Sequence, residues 1–245
     1  MSKLTRRILT KMGYRVRKVD PLHHPGAARR WLKNPDNPCL VSFPRTGSHW
    51  LRMVIERYFD RPLLVRSFFH PGRRDFLLLH DHDMELQLAP RNVLYLFRGP
   101  VDTVFSQLGY YREPLDDPRC IAHWSMRYAL HLSKWMIDRS PDVRCTVLRY
   151  EDLKADLPAA FRAVCAHFDH PFDEARVRAA AEGITREQVR ETSSTYNPAV
   201  MTVSETYEQR RERFRTEQAP RVWAGLAAVS QAVYGGPDRI RHLFP

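Results

Sequence analysis

Apolar positions along the chain form short runs that give way to helical spacing, several times over. Leu40 to Phe43 form an apolar run that predicts a buried strand over 39–43. After a Pro–Gly turn, Trp50, Leu51, Val54, Ile55, Tyr58 and Phe59 recur at helical spacing and predict a helix over 48–59. The pattern repeats in a strand over 92–97 and a helix over 100–112, with Pro100 suited to a first helical position and Asp102 to the first turn. Leu63–Arg66 and Phe76–Leu79 are candidate strands around the Pro71-Gly72 turn. Trp124, Tyr128, Leu132 and Trp135 predict one long amphipathic helix over 119–139. Val143–Leu148 reads as a strand leading into a helix through Phe168. Asp173 caps the next helix, and Thr185-Arg186-Glu187-Gln188 has the capping-box pattern for another. Strands alternating with helices predict a single three-layer α/β domain, a mainly parallel sheet flanked by helices, with ligands at the carboxyl ends of the strands.

Two of those strand ends carry candidate chemistry. Pro44-Arg45-Thr46-Gly47-Ser48-His49-Trp50 joins the first strand to its helix, an architecture whose exposed amides and helix dipole hold phosphate. Arg45 and the hydroxyls of Thr46 and Ser48 are placed to complete such a P-loop-like cradle. The plain structural alternative is a turn with Ser48 as a helix cap. A Walker A loop requires Lys directly before the hydroxyl residue, whereas here the cation precedes the glycine. At the second strand end, Arg98 is followed by Ser106 about two helical turns on, so that an arginine and a hydroxyl grip one phosphate from two sides.

Pro44 to Trp50 resembles the 5′-phosphosulfate loop of the sulfotransferases that use 3′-phosphoadenosine 5′-phosphosulfate (PAPS), roughly P-[KR]-[ST]-G-[TN]-x-W. Arg98, Pro100, Asp102 and Ser106 fall in register with that family's 3′-phosphate motif R-[ND]-P-x-D-x-x-x-S, with Gly99 departing from it. Tyr150-Glu151-Asp152-Leu153 is similar to the family's Y-E-D-[LM]. The resemblance spans about residues 38–190. It implies a P-loop-like fold and a cofactor site made of Arg45, Thr46, Gly47, Ser48, His49, Trp50, Arg98, Ser106 and Tyr150, with Trp50 stacking on adenine and Tyr150 near it. It also implies PAPS as sulfuryl donor, a hydroxyl acceptor and no metal. Arg45 would stabilise charge on the departing phosphate, and being arginine it would do so without donating a proton.

Relatives use a histidine after the strand that precedes the 3′-phosphate motif, often within K-T-H. Here the region reads Leu78-Leu79-His80-Asp81-His82-Asp83, and the lysine is replaced by leucine. His80 is the first candidate for the base and His82 the second, since strand alternation puts both on one side. The same cluster would suit a metal, but no second ligand cluster accompanies it in the sequence. The family's C-terminal glycine-rich loop, R-K-G-x-x-G-x-W, is missing. Within 205–223, Arg210 and Arg211 are expected to supply its cation, although the mixed charge also fits a solvated helix. The family's T-x-F falls near Ile184 and Arg186 and does not match.

Charge adds one feature to the picture. Of a net charge of +11, nearly all sits in residues 1–33, where Asp20 is the only acid among ten lysines and arginines. This divides the chain into a basic arm, 1–36, and the α/β domain, 37–245. With Leu4, Ile8, Leu9 and Met12 at helical spacing, the arm fits contact with an anionic membrane as well as it fits a solvated tail. No aromatic-interleaved basic motif supports nucleic-acid binding. The four cysteines form no C-x-x-C pair, and neither a membrane span nor a signal segment is visible, which suggests a cytoplasmic protein of the soluble or bacterial type. The acceptor expected is a glycan, a glycolipid, or a small alcohol or phenol. The rival readings are a P-loop-like nucleotide kinase and a non-catalytic phosphate-loop protein that docks on membrane or nucleic acid.

Overall fold

A computed structural model describes residues 25–185, 188–189 and 205–244. Four strands, β1 (Cys39–Ser42), β2 (Leu79–Asp81), β3 (Asn92–Phe97) and β4 (Arg144–Arg149), form one parallel sheet in the order β2-β1-β3-β4. The chain leaves β1 for one edge and returns past it to β3, so β1 and β3 flank a topological switch point, where open parallel sheets bind ligands. Ser42 pairs with Leu96, so the two strands end level and their following loops lie side by side.

Helices cover both faces because alternate strand residues are apolar in both directions. Cys39, Val41, Val93 and Tyr95 pack with residues of α3 (Pro100–Tyr111), α4 (Pro118–Leu132) and α8 (Glu205–Tyr234). Leu40, Leu94 and Leu96 pack with α2 (Ser48–Phe59), α6 (Leu157–His167) and α7 (Glu174–Ala181). The short helix α5 (Tyr150–Ala155) follows β4 directly. Phe214, Val222 and Leu226 bury the inner face of α8, and truncating such side chains costs about 2–5 kcal/mol each.

The strands at 92–97 and the helix at 48–59 match their expected bounds, and Asp173 caps α7 by accepting from the Arg176 amide. Several elements differ. Leu63–Arg66 makes only an isolated bridge, Leu64 to Leu79, because Val65 turns into the left-handed region (φ 84°). The strand expected at Phe76–Leu79 starts at Leu79, so His80 lies inside β2. The helix expected over 119–139 stops at Leu132 and opens into a π-turn, Ser133–Ile137. There Lys134 and Trp135 both reach the buried Asp83 carboxylate. The helix expected through Phe168 breaks at Asp156, whose side chain accepts from the Ala159 amide to start α6. Residues 25–36, assigned to the arm, include helix α1 (Pro25–Leu32), whose Trp31 packs on the core and donates to the Pro38 carbonyl. The rest of the arm, 1–24, and Arg186 and Glu187 of the capping box lie outside the described residues.

Candidate active site

The loop after β1 is built to hold an anion. Arg45 (φ 71°) and Gly47 (φ 94°) are both left-handed, so their amides turn toward the start of α2. A side chain on Gly47 would collide with the Tyr150 ring, which sets glycine there twice over. The first turn of α2 has no side-chain cap and no acidic residue, so its amides are left for a ligand. The Thr46 hydroxyl is not among those ligand groups. It is fully buried and donates to the Phe43 carbonyl at 2.8 Å, which ties the loop to the strand it leaves.

A cavity of about 270 Å³ opens on this loop. Arg45, Gly47, Ser48, His49, Trp50, Arg98, Ser106, Tyr150 and Arg211 line it, which gathers nine of the eleven expected cofactor residues in one place. Arg45 Nε lies 3.4 Å from Ser106 Oγ and Arg98 Nη1 donates to the Arg45 carbonyl at 3.3 Å, so the two phosphate motifs touch. The Arg98 guanidinium lies 4.8 Å from the centre of the Tyr150 ring, and its buried Nε has no hydrogen-bond partner among the described residues. An unpartnered buried donor on a cation is costly unless a ligand completes it. Burial holds Arg45 below the usual arginine range, and Arg98 pushes the same way.

Arg211 reaches the cavity from α8 because Asp102 anchors it. The Asp102 carboxylate accepts two hydrogen bonds from Arg211 (3.1 and 2.8 Å) and two from Arg215 (2.9 and 2.8 Å), and pairs with Arg98 at 3.5 Å. Burial alone would raise the Asp102 pKa, but the Arg215 and Arg211 hydrogen bonds hold it well below the usual carboxylate range. Arg210, paired with Arg211 in the sequence expectation, lines a neighbouring cavity with Phe105 and Tyr207 instead. The cavity wall also includes Lys154, Ile184, Thr185, Val189 and Tyr207, which no sequence motif marked. Ile184 stands where the family pattern failed to match and supplies an apolar surface there.

His80 and His82 lie in contact, their ring centres 4.7 Å apart, and neither lines the cavity. Their hydrogen bonds differ. Arg52 Nη1 lies 2.9 Å from His80 Nδ1, and a guanidinium can only donate, so Nδ1 carries the lone pair. His80 Nε2 is then the N–H, 3.2 Å from Ser42 Oγ. His82 Nδ1 lies 2.8 Å from the Ser42 carbonyl, which can only accept, so His82 carries its proton on Nδ1 and its lone pair on Nε2. Among the described residues no partner meets that Nε2. Burial pushes both histidines below their ordinary pKa. His49, packed on Phe68, is pushed down to about 3 by burial, with Arg52, Arg66 and Arg45 adding to it. Asp83 turns away to Lys134, so the His-Asp-His-Asp segment does not converge, and no group of three metal-ligating side chains occurs among the described residues.

A family model described as the sulfotransferase family matches residues 90–174, which include β3, the Arg98–Ser106 motif and Tyr150. The fold is similar to that of mouse sulfotransferase SULT7A1 complexed with PAP (15% identity, 92% of this chain and 94% of that one, TM-score 0.60). It also resembles retinol dehydratase in complex with retinol and PAP (12% identity, 75% and 81% coverage, TM-score 0.50). Curated protein sequences give no significant match, so the kinship lies in motifs and fold rather than in overall sequence. The family-model match over residues 90–174 and the shared fold are thus what the chain has in common with the sulfotransferases.

Proposed function

We propose that this protein transfers a sulfuryl group from PAPS to a hydroxyl acceptor. The observation that carries the reading is the pair of phosphate motifs meeting in one cavity, with the unpartnered Arg98 Nε on one side and the uncapped start of α2 on the other. The loop amides and Arg45 would hold the 5′-phosphate, and Arg98 and Ser106 the 3′-phosphate, joined by Arg211 in place of the missing glycine-rich loop. Trp50, Tyr150 and Ile184 offer flat or apolar surface for the adenine. These residues fit PAPS, whose bound form supplies an activated sulfuryl group.

The protein's part is positioning and charge stabilisation. The acceptor oxygen forms a bond to sulfur while the bond from sulfur to the phosphate oxygen breaks, and its electron pair leaves with the phosphate beside Arg45. The acceptor proton passes to a histidine of the His80–His82 pair. Geometry favours His82, because the lone pair of His80 is already taken by Arg52. The acceptor class is a glycan, a glycolipid, or a small alcohol or phenol. No helix among the described residues is long and apolar enough to cross a membrane. Contact of residues 1–33 with an anionic membrane, and a cytoplasmic setting, remain proposals of the sequence.

The test is calorimetric binding of 3′,5′-adenosine bisphosphate against ATP and 5′-AMP, on wild type and Arg98→Ala. Magnesium-independent binding that needs both the 3′-phosphate and Arg98 is the expected result. A preference for ATP with magnesium, or no binding at all, would overturn it in favour of a kinase or a docking protein.

A further inference from the structure

Arg52 is a buried cation without a conventional partner. It is 7% exposed, yet among the described residues its Nε and Nη2 have no hydrogen-bond partner, and its guanidinium carbon lies 5.0 Å from the centre of the Phe68 ring. Glu56, one turn along α2, would be the expected carboxylate. Its oxygens are instead occupied by the Ser67 hydroxyl and the amides of Phe68, Phe69 and His70. A guanidinium buried at this cost would ordinarily be replaced by an apolar side chain or paired. Among the described residues, the single hydrogen bond it makes is to His80 Nδ1, at 2.9 Å.

That bond propagates. With Nδ1 of His80 as acceptor, its Nε2–H points to Ser42 Oγ, while the carbonyl of the same serine takes Nδ1–H of His82. Two histidines two residues apart thus carry their protons on opposite nitrogens, joined through one serine. We propose that Arg52 is a positioning residue that locks His80 and His82 in these opposite tautomers, leaving Nε2 of His82 as the proton acceptor for the acceptor hydroxyl. This rests on the sulfuryl-transfer reading only for its last clause.

The electrostatics agree with the geometry. Burial is the largest cause of the lowered pKa of His80 and of His82, and Arg52 pushes both in the same direction. The other charged or titratable groups that act on the pair are His49 and Arg45, which oppose protonation, and Asp81, which favours it at His82. His82 also opposes protonation of His80 across their edge-to-face contact. Arg66 acts on the cluster through Arg52 and His49.

The test is two-bond proton–nitrogen correlation NMR on histidine-labelled protein, with resonances assigned through His80→Gln and His82→Gln. Wild type is expected to show His80 protonated on Nε2 and His82 on Nδ1, unchanged between pH 6 and 8. Arg52→Met is expected to free the His80 tautomer and move its titration up toward the ordinary value of about 6.5, with Arg52→Lys intermediate. In turnover, Arg52→Met should lower kcat about tenfold or more with little change in KM for the donor, and move the acidic limb of the pH profile upward. Wild-type His80 protonated on Nδ1, or both histidines in one tautomer, would overturn the proposal even if Arg52→Met does not fold. An unchanged titration of both histidines in a folded Arg52→Met would overturn it as well. The expected tautomers together with full activity in His82→Gln would keep the Arg52 network and refute the histidine base instead.

Discussion

The cavity and the histidine pair behind it both depend on arginine, but they treat its charge in opposite ways. On the cavity side, Arg98, Arg211 and Arg215 share the Asp102 carboxylate, so the cations are held in place by an acid while Arg98 Nε stays unpartnered. Behind the loop, Arg52 has no carboxylate hydrogen bond among the described residues and donates to a neutral imidazole. The first arrangement orients positive charge toward an arriving anion. The second adds a buried positive charge to the burial that already disfavours protonation of the neighbouring imidazoles. In the function proposed above, one residue type would thus serve anion binding in one place and base preparation in the other, with the partner deciding which.

This contrast can be broken from either side. The largest effect is expected from His82→Gln, which should lower kcat about 10²–10⁴-fold while leaving 3′,5′-adenosine bisphosphate binding intact. Rapid-quench turnover beside calorimetry separates the two quantities. A loss of binding equal to the loss of turnover would place His82 in the cofactor site instead. Next, Arg98→Ala should weaken bisphosphate binding by about 1.5–3 kcal/mol, the usual worth of a charged hydrogen bond, and leave 5′-AMP binding nearly unchanged.

A comparable loss, about 1.5–3 kcal/mol of folding stability at neutral pH, is expected from Asp102→Asn in denaturant titrations. Because the folded pKa of Asp102 is depressed, its contribution is whole above the unfolded value of about 3.9 and is lost as pH falls through the folded value. The wild-type and Asp102→Asn stabilities should therefore converge in acid, and a gap that stays constant down to pH 2 would contradict the ion-pair account. The smallest effect sharpens the assignment within α8. Arg210→Ala should change bisphosphate binding by less than about 0.5 kcal/mol, as surface substitutions do, whereas Arg211→Ala should weaken it measurably.

The cavity was legible in the sequence where its residues are local. Arg45 to Trp50 and Arg98 to Ser106 each lie on one strand–turn–helix unit, so short-range spacing carries their geometry. Lys154, Ile184, Val189 and Tyr207 come from elements whose docking is decided by tertiary packing, and no matching motif position singles them out. Arg210 and Arg211 were indistinguishable in sequence. One helical step of about 100° separates them, and only the partner Asp102, more than a hundred residues earlier, picks Arg211. The role of Arg52 was invisible for the same reason, since it reads as one more polar position on an amphipathic helix. Among the elements, strand 92–97 was clear from its apolar run. The break at Leu132 was not, because it answers to the distant Asp83.

The Asp102 clamp has a consequence for the order in which the protein matures on the ribosome. A nascent chain that has emerged only through α7 already holds both phosphate motifs, but its Asp102 lacks Arg211 and Arg215 and has only Arg98 as a charged partner. Such an intermediate would hold a nucleotide bisphosphate more weakly, with one cation of the cavity missing and Arg98 drawn to the acid alone. Full affinity for the proposed donor would therefore arrive late, when the last long helix docks. By linkage, bound donor should in turn slow hydrogen exchange in that helix.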